Sequence, residues 1–292
     1  MASLFVNNLT VIDFSYLDAE RGIVGESWIV DLELGGELNA EGMVFDFGHV
    51  KKAIKTALDN GMDHRFVIPL QLDGLEVEQG PEYSRIRRLA ADGSLMLDYR
   101  APNQAFYWLQ ATAVTPQTAL RDLQQQVRAV VPANVQQIKL SLRTEDHQDA
   151  YYHYSHGLKK HDGDCQRMVH GHRSRLIIEQ DGRRQPELEQ QFARHWQDIY
   201  LITREDIRQE IKVLDTPCYA MSYEAAQGHF ELTLPVTRCD VLDTDTTVEL
   251  IAQHLVHRLS ARAPDSHWCV RAFEGVNKGA IAAHPAATAQ AL

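Results

Sequence analysis

An α+β protein built from two copies of one unit is the fold class predicted by this 292-residue sequence, and three repeated landmarks predict it. An alternating strand closed by a turn occurs twice, as S-W-I-V-D-L-E-L-G-G at Gly35-Gly36 and as R-S-R-L-I-I-E-Q-D-G at Asp181-Gly182. Each strand follows a glycine between two positions that share a face: Val24-Gly25-Glu26 in the first copy and His170-Gly171-His172 in the second, 146 residues later. A helix and a strand also recur. Q-T-A-L-R-D-L-Q-Q-Q-V-R-A-V parallels T-T-V-E-L-I-A-Q-H-L-V-H-R-L, pairing Thr118 with Thr247, and the strands that follow pair Glu145 with Glu274, both 129 residues apart.

Each unit therefore reads strand, strand, helical region, variable section, helix, strand. In the first copy, Val50, Ala53, Ile54 and Leu58 fall at helical spacing, which predicts an amphipathic helix ending near Gly61. Its counterpart in the second copy is expected in I-T-R-E-D-I-R-Q-E-I-K-V-L-D-T, a shorter helix that would align Met62-Asp63-His64 with Leu214-Asp215-Thr216. The stretch S-R-I-R-R-L-A-A-D-G-S-L-M-L-D-Y reads as an extra hairpin confined to copy one. Units at residues 1–148 and 149–283 follow, with a low-complexity, disordered tail at 284–292. No Gly/Ser-rich linker separates the units, so they are expected to be held closely.

Composition narrows the function. Hydrophobic residues make up 44% and charged residues 24%, a globular balance. A formal net charge of −11 argues against nucleic acid or an acidic membrane as partner. The absence of a basic, apolar leader points to the cytoplasm, and no apolar run has the length of a membrane span. Cys165, Cys218, Cys239 and Cys269 are scattered, which predicts free thiols.

The chemistry concentrates in S-H-G-L-K-K-H-D-G-D-C-Q-R-M-V-H-G-H. His170 and His172 are two residues apart, so a strand would present both imidazoles on one face as a pair of metal ligands. His156 can add a third nitrogen, with His153 and His161 as competitors, and Cys165 is close enough in sequence to reach the same pocket. Three protein ligands with no evident fourth describe a catalytic Zn2+ site with a position open to substrate.

S-H-G-L, a cysteine, H-G-H and then an alternating strand resemble the 6-pyruvoyl-tetrahydropterin synthase and 6-carboxytetrahydropterin synthase family. The resemblance implies tunnelling-fold units, antiparallel sheets with helices on one face that assemble side by side into barrels. It also implies zinc on His156, His170 and His172, the choice of His156 following from its place before G-L, and Cys165 as a catalytic acid/base. G-M-V-F-D-F-G-H-V-K-K and M-D-H-R resemble the segments that carry the family's catalytic Asp-His pair, here Asp63 and His64. Glu274, with T-T-V-E at Thr246 and Thr247, resembles the family's pterin anchor, while helix capping is the plain alternative for one of the threonines.

Under this resemblance the copies have decayed in complementary ways. Copy one has Asp18, Val24 and Glu26 where ligands would stand, yet keeps Asp63-His64; copy two keeps the ligands and loses the pair. That pattern predicts a composite site, formed within one chain or between chains of a homo-oligomer. The implied activity is a zinc-dependent lyase acting on 7,8-dihydroneopterin triphosphate, yielding 6-pyruvoyl- or 6-carboxy-tetrahydropterin, the latter on the queuosine route. Arg167, Arg173 and Arg175 are candidates for the triphosphate. The alternative is a non-catalytic pterin- or purine-binding or scaffold protein, which the substitutions in copy one motivate.

Overall fold

The computed structural model describes residues 2–38, 40 and 42–284. The first unit runs β1 (Ala2–Asp18), β2 (Gly22–Gly36), α1 (Phe47–Asp59), β3 (Phe66–Pro69), β4 (Leu75–Gln79) and β5 (Tyr83–Leu89). It continues through β6 (Leu95–Pro102), β7 (Phe106–Leu109), α2 (Pro116–Val130) and β8 (Val135–Arg143). The second runs β9 (Tyr151–His156), β10 (His170–Gln180), β11 (Arg183–Arg184), α3 (Pro186–His195), β12 (Ile199–Thr203) and β13 (Ile207–Val213). It ends with β14 (Thr216–Ala225), β15 (Gly228–Pro235), β16 (Cys239–Leu242), α4 (Val248–Ser260), β17 (Trp268–Phe273) and β18 (Gly279–His284). His284 thus belongs to a strand, and the rest of the expected tail lies outside the described residues.

Two sheets repeat strand for strand. The order β7-β3-β1-β2-β8 in the first unit matches β16-β12-β9-β10-β17 in the second, with β18 added at the edge. The hairpins at the centre of each sheet are antiparallel, and the two outer strands beyond β1 and β9 join in parallel. Each sheet lies on two helices over a separate apolar core. Ile12, Phe14, Trp28, Ile54, Leu58 and Leu123 are in one; Tyr152, Leu176, Phe192, Trp196, Ile251 and Leu255 are in the other. This is the tandem tunnelling fold.

Local chemistry places the helices. Asp46 caps α1 by accepting from the N–H groups of Gly48 and His49, and Val50, Ile54 and Leu58 turn one stripe inward. In α2, Thr115 and Thr118 form a reciprocal cap with Pro116 at the first turn; in α4 the cap is Thr247. The equivalent caps are therefore Thr115 and Thr247, three residues away from the Thr118 pairing expected from sequence.

The expected second-copy helix is corrected. Residues 202–216 form the end of β12, a tight turn at Arg204–Asp206, and β13, whose β-branched Ile207, Ile211 and Val213 pair with β14. The counterpart of α1 is α3, with Pro186 in its first turn and Glu187 and Glu189 near the positive end of its dipole. Leu214 and Asp215, both at positive φ, make the tight turn between β13 and β14 and do not correspond to the Asp-His pair. The hairpin assigned to copy one alone is matched by β14 and β15.

These middle strands build a third sheet that belongs to neither unit. Its order is β13-β14-β15-β6-β5-β4, three strands from each, joined where β15 pairs with β6. A shared core lies beneath it, with Leu17, Phe66, Tyr99 and Phe106 from one unit and Met168, Tyr200, Met221 and Phe230 from the other.

The hairpins β1–β2 and β9–β10 press against each other beside this core. Gly25 and Gly171 are the reason they can. A Cβ on Gly25 would fall 1.9 Å from the Tyr154 carbonyl oxygen, and one on Gly171 would fall 2.8 Å from the Gly25 Cα. Ser15 and Ser155, each opposite one of these glycines, share a hydrogen bond of 2.7 Å between hydroxyls.

Candidate active site

His156 ends β9, His170 opens β10 directly opposite it, and His172 follows on the same face. All three side chains are buried, and one ligand nitrogen from each lies within 4.8 Å of the others. Among the described residues this is the one such group of three. His153, a competitor for the third position, turns its Nδ1 to the Gly25 carbonyl at 2.6 Å; His161 is exposed and accepts from the Gly163 N–H.

Hydrogen bonding decides which nitrogens are free. His156 Nδ1 donates to the Thr246 carbonyl at 2.9 Å, and His170 Nδ1 donates to the Arg167 carbonyl at 3.0 Å. A carbonyl can only accept, so each opposite Nε2 carries a bare lone pair. His172 Nδ1 lies 3.3 Å from Asp13 Oδ1. Among the described residues, the Nε2 atoms of all three rings, and Nδ1 of His172 as well, are buried without a hydrogen-bond partner. Leaving a buried polar atom unsatisfied costs about 1–3 kcal/mol, a cost that a divalent cation bound by the three nitrogens would remove. Burial, and for each ring the neighbouring histidines, hold His156 and His170 well below the usual imidazole range, so both stay neutral as metal binding requires. The residues fit a metal ion.

The first unit reaches into the same place. His64 adopts φ 52°, the left-handed region, where its N–H donates to the Asp13 carbonyl at 2.7 Å. Asp63 Oδ1 accepts from the Asp13 N–H at 2.8 Å, and Asp63 Oδ2 bonds His64 Nδ1 at 2.7 Å. The His64 ring stands 5.4 Å from that of His170, centroid to centroid. Burial works against charge on His64, but hydrogen bonds to Asp63 and to Cys165 outweigh it and raise its pKa to about 10. Cys165 sits in a short turn at Asp164–Gln166 inside the β9–β10 connection. Asp63, His64 and the triad thus meet within one chain.

A family model described as 6-pyruvoyl tetrahydropterin synthase matches residues 14–83 and 147–284, well over half of the chain. The chain belongs to this family. A protein assigned as a 6-carboxy-5,6,7,8-tetrahydropterin synthase in Pyrococcus horikoshii is 35% identical over 57 residues, 20% of this chain and 33% of the relative. A protein of the same description from Pyrococcus abyssi is 33% identical over 57 residues, with the same coverage. The chain spans about a third of the length of these curated relatives. Among solved structures, 6-pyruvoyl tetrahydropterin synthase of Plasmodium falciparum aligns with a TM-score of 0.40 and 20% identity, over 48% of this chain and 90% of that one. The Plasmodium vivax enzyme aligns at 0.36 and 19%, over 49% and 97%.

The remaining residues that the family resemblance singles out are placed as follows. Glu274 is half-buried at the end of β17, its Oε1 4.0 Å from His172 Nε2. Thr246 is fully buried, with its hydroxyl 3.1 Å and its carbonyl oxygen 2.9 Å from His156 Nδ1. Thr247 caps α4 through its hydroxyl, which accepts from the Leu250 N–H. The three candidate arginines all have protein partners. Arg167 bonds Asp164, Gln227 and the His64 carbonyl; Arg173 stacks on Tyr151; Arg175 pairs with Glu145 and Asp149.

Register also corrects the first-unit equivalents. Ser15 faces Gly25 as Ser155 faces Gly171, so Tyr16 is the counterpart of His156, and Asp18 lies two residues beyond. Ser15 pairs with Phe66 as Ser155 pairs with Tyr200, so the counterparts of Asp63 and His64 are Gln197 and Asp198. His64 and Asp198 share the left-handed backbone conformation. Asp13 and Lys278 were missed in the sequence. The available signal for Asp13 was a lone carboxylate within the apolar strand V-I-D-F-S.

Proposed function

We propose that this chain is a zinc-dependent lyase of the pterin synthase type, with 7,8-dihydroneopterin triphosphate as substrate and 6-pyruvoyl- or 6-carboxy-tetrahydropterin as product. The observation that carries this reading is the hydrogen-bonded pair of Asp63 and His64, its imidazole ring 5.4 Å from that of His170, beside three buried imidazoles with unpartnered Nε2 atoms.

Zinc held by His156, His170 and His172 would polarise the substrate's side-chain hydroxyls and lower their pKa. Asp63 accepts from His64 Nδ1–H, orienting the ring and favouring its protonated form, which leaves Nε2–H to donate a proton. Cys165 takes a proton from the substrate side chain, and His64 relays protons with it. Glu274 accepts two adjacent N–H groups of the pterin edge, the bidentate geometry that a carboxylate offers to paired donors. Thr246 supports His156 from behind, and Thr247 orders the start of α4.

Copies of the chain associate side by side in this reading, since strands such as β8 and β18 leave sheet edges to be covered. The decisive experiment incubates zinc-loaded protein with 7,8-dihydroneopterin triphosphate and identifies the pterins formed. A 6-pyruvoyl or 6-carboxy product supports the reading, and recovery of unchanged substrate under conditions where a family enzyme turns over sinks it.

A further inference from the structure

We propose that Asp13, a residue of the degenerate first unit, is the carboxylate that orients His172 and sets the metal affinity of the second unit. This rests on reading the triad as a metal site.

The geometry is a built cradle. Asp13 is 3% exposed on β1, between Ile12 and Phe14, which turn the opposite way into the first unit's core. Its Oδ1 lies 3.3 Å from His172 Nδ1 and accepts from the Ser27 hydroxyl at 2.5 Å, while Oδ2 is 3.2 Å from Lys278 Nζ. Gly275 leaves room for it, since a Cβ there would fall 2.4 Å from Asp13 Oδ1, and its φ of +70° suits glycine. The other two ligands are held by carbonyls of their own unit, Thr246 and Arg167; His172 Nδ1 has no hydrogen-bond partner among the described residues and faces the Asp13 carboxylate at ion-pair distance, close enough for a small ring rotation to complete the bond. Such a partner fixes the ring and raises the basicity of the coordinating nitrogen more than a carbonyl does.

Asp13 also holds the dyad, through its backbone N–H to Asp63 and its carbonyl to His64. One residue therefore sets the position of a ligand and of the proton-transfer pair. Its second-unit counterpart, His153, faces the Gly25 carbonyl, so this role exists only on the side where the ligands survive.

Asp13 is thus a positioning residue, and metal affinity tests it without reference to turnover. Apparent zinc dissociation constants are measured by chelator competition for the wild type, Asp13→Asn, Asp13→Ala and Asp31→Asn, the last an arginine-paired site elsewhere on the hairpin. The visible spectrum of the cobalt-loaded proteins and the melting temperatures of the metal-free ones are recorded alongside. Asp13→Ala is expected to weaken zinc about 10- to 100-fold and to alter the cobalt spectrum. Asp13→Asn keeps an oxygen that accepts from Nδ1–H and restores much of both, and Asp31→Asn matches the wild type. Wild-type affinity in Asp13→Ala overturns the inference and leaves the proposed function standing. Losses that merely follow the metal-free melting temperature, with Asp13→Asn no better than Asp13→Ala, also overturn it, by making the role structural. A wild type that takes up no zinc defeats both readings.

Discussion

The two hairpin sites occupy equivalent places in the fold and have opposite contents. Around β9–β10 stand His156, His170 and His172, with His64 arriving from the first unit and Cys165 from a thirteen-residue connection. Around β1–β2 stand Tyr16, Val24 and Glu26, with Asp198 arriving from the second unit and Arg21 from a three-residue turn. Arg21 donates to both oxygens of Asp198, at 2.9 and 2.5 Å, and to the Tyr16 hydroxyl at 3.2 Å. A protein ion pair fills the position that Cys165 and His64 hold on the other side.

The electrostatics diverge accordingly. In the second unit, burial keeps His156 and His170 neutral, and the Nε2 atoms of all three ligand rings have no hydrogen-bond partner among the described residues. In the first, burial pushes Glu26 up to about 7 against the pull of the Ser27 N–H, Arg173 and Arg21. One site leaves imidazole nitrogens unpartnered; in the other, Arg21 and Asp198 satisfy each other.

The largest effect that can break the comparison is loss of the metal. His170→Ala is expected to abolish stoichiometric zinc, read by elemental analysis, and to reduce turnover to background; full zinc content in that variant would remove the triad from consideration. His64→Ala should lower kcat by about 100- to 10,000-fold with zinc content unchanged, since it removes proton transfer and no ligand. A parallel loss of zinc would instead assign His64 to the metal.

Asp198→Ala, at the position equivalent to His64, should do the reverse. It breaks the Arg21 pair, whose aspartate is buried and whose arginine is one-third exposed, and should cost about 1–3 kcal/mol in a denaturant titration with zinc stoichiometry unchanged.

The smallest effect is at Glu26. Its pKa in the fold is about 7 against an ordinary 4.5, so its contribution to stability is complete below the ordinary value and is lost as the pH rises through 7. Glu26→Gln should therefore raise the melting temperature by a few degrees at about pH 8, with no gain left near about pH 4.5. A gain independent of pH would show that packing, and not the buried charge, distinguishes this site.

Much of the site was legible because strands and short motifs carry their own geometry. The spacing of His170 and His172 placed both rings on one face, and the resemblance of M-D-H-R pointed to Asp63-His64. The errors lay where local pattern is ambiguous. Ile207, Ile211 and Val213 suit either a helix or a strand in isolation, and pairing with β14 decides for the strand. Aligning Thr216 with His64 then followed from that error, because nothing local distinguishes Asp198 from any other loop aspartate. Asp13 was missed because its partners, His172 and Lys278, are more than 150 residues away in the chain.

By itself, the sequence determined the duplicated α+β units and set His156, His170 and His172 as a candidate ligand group, since these depend on residue type, period and order along the chain. Only the tertiary structure decided that three strands from each unit merge into one sheet over a common core. It also decided that Asp63 and His64 reach the triad within a single chain. The physical reason is the close approach of two hairpins at Gly25 and Gly171: contacts across it join residues remote in sequence, and no local propensity encodes their meeting.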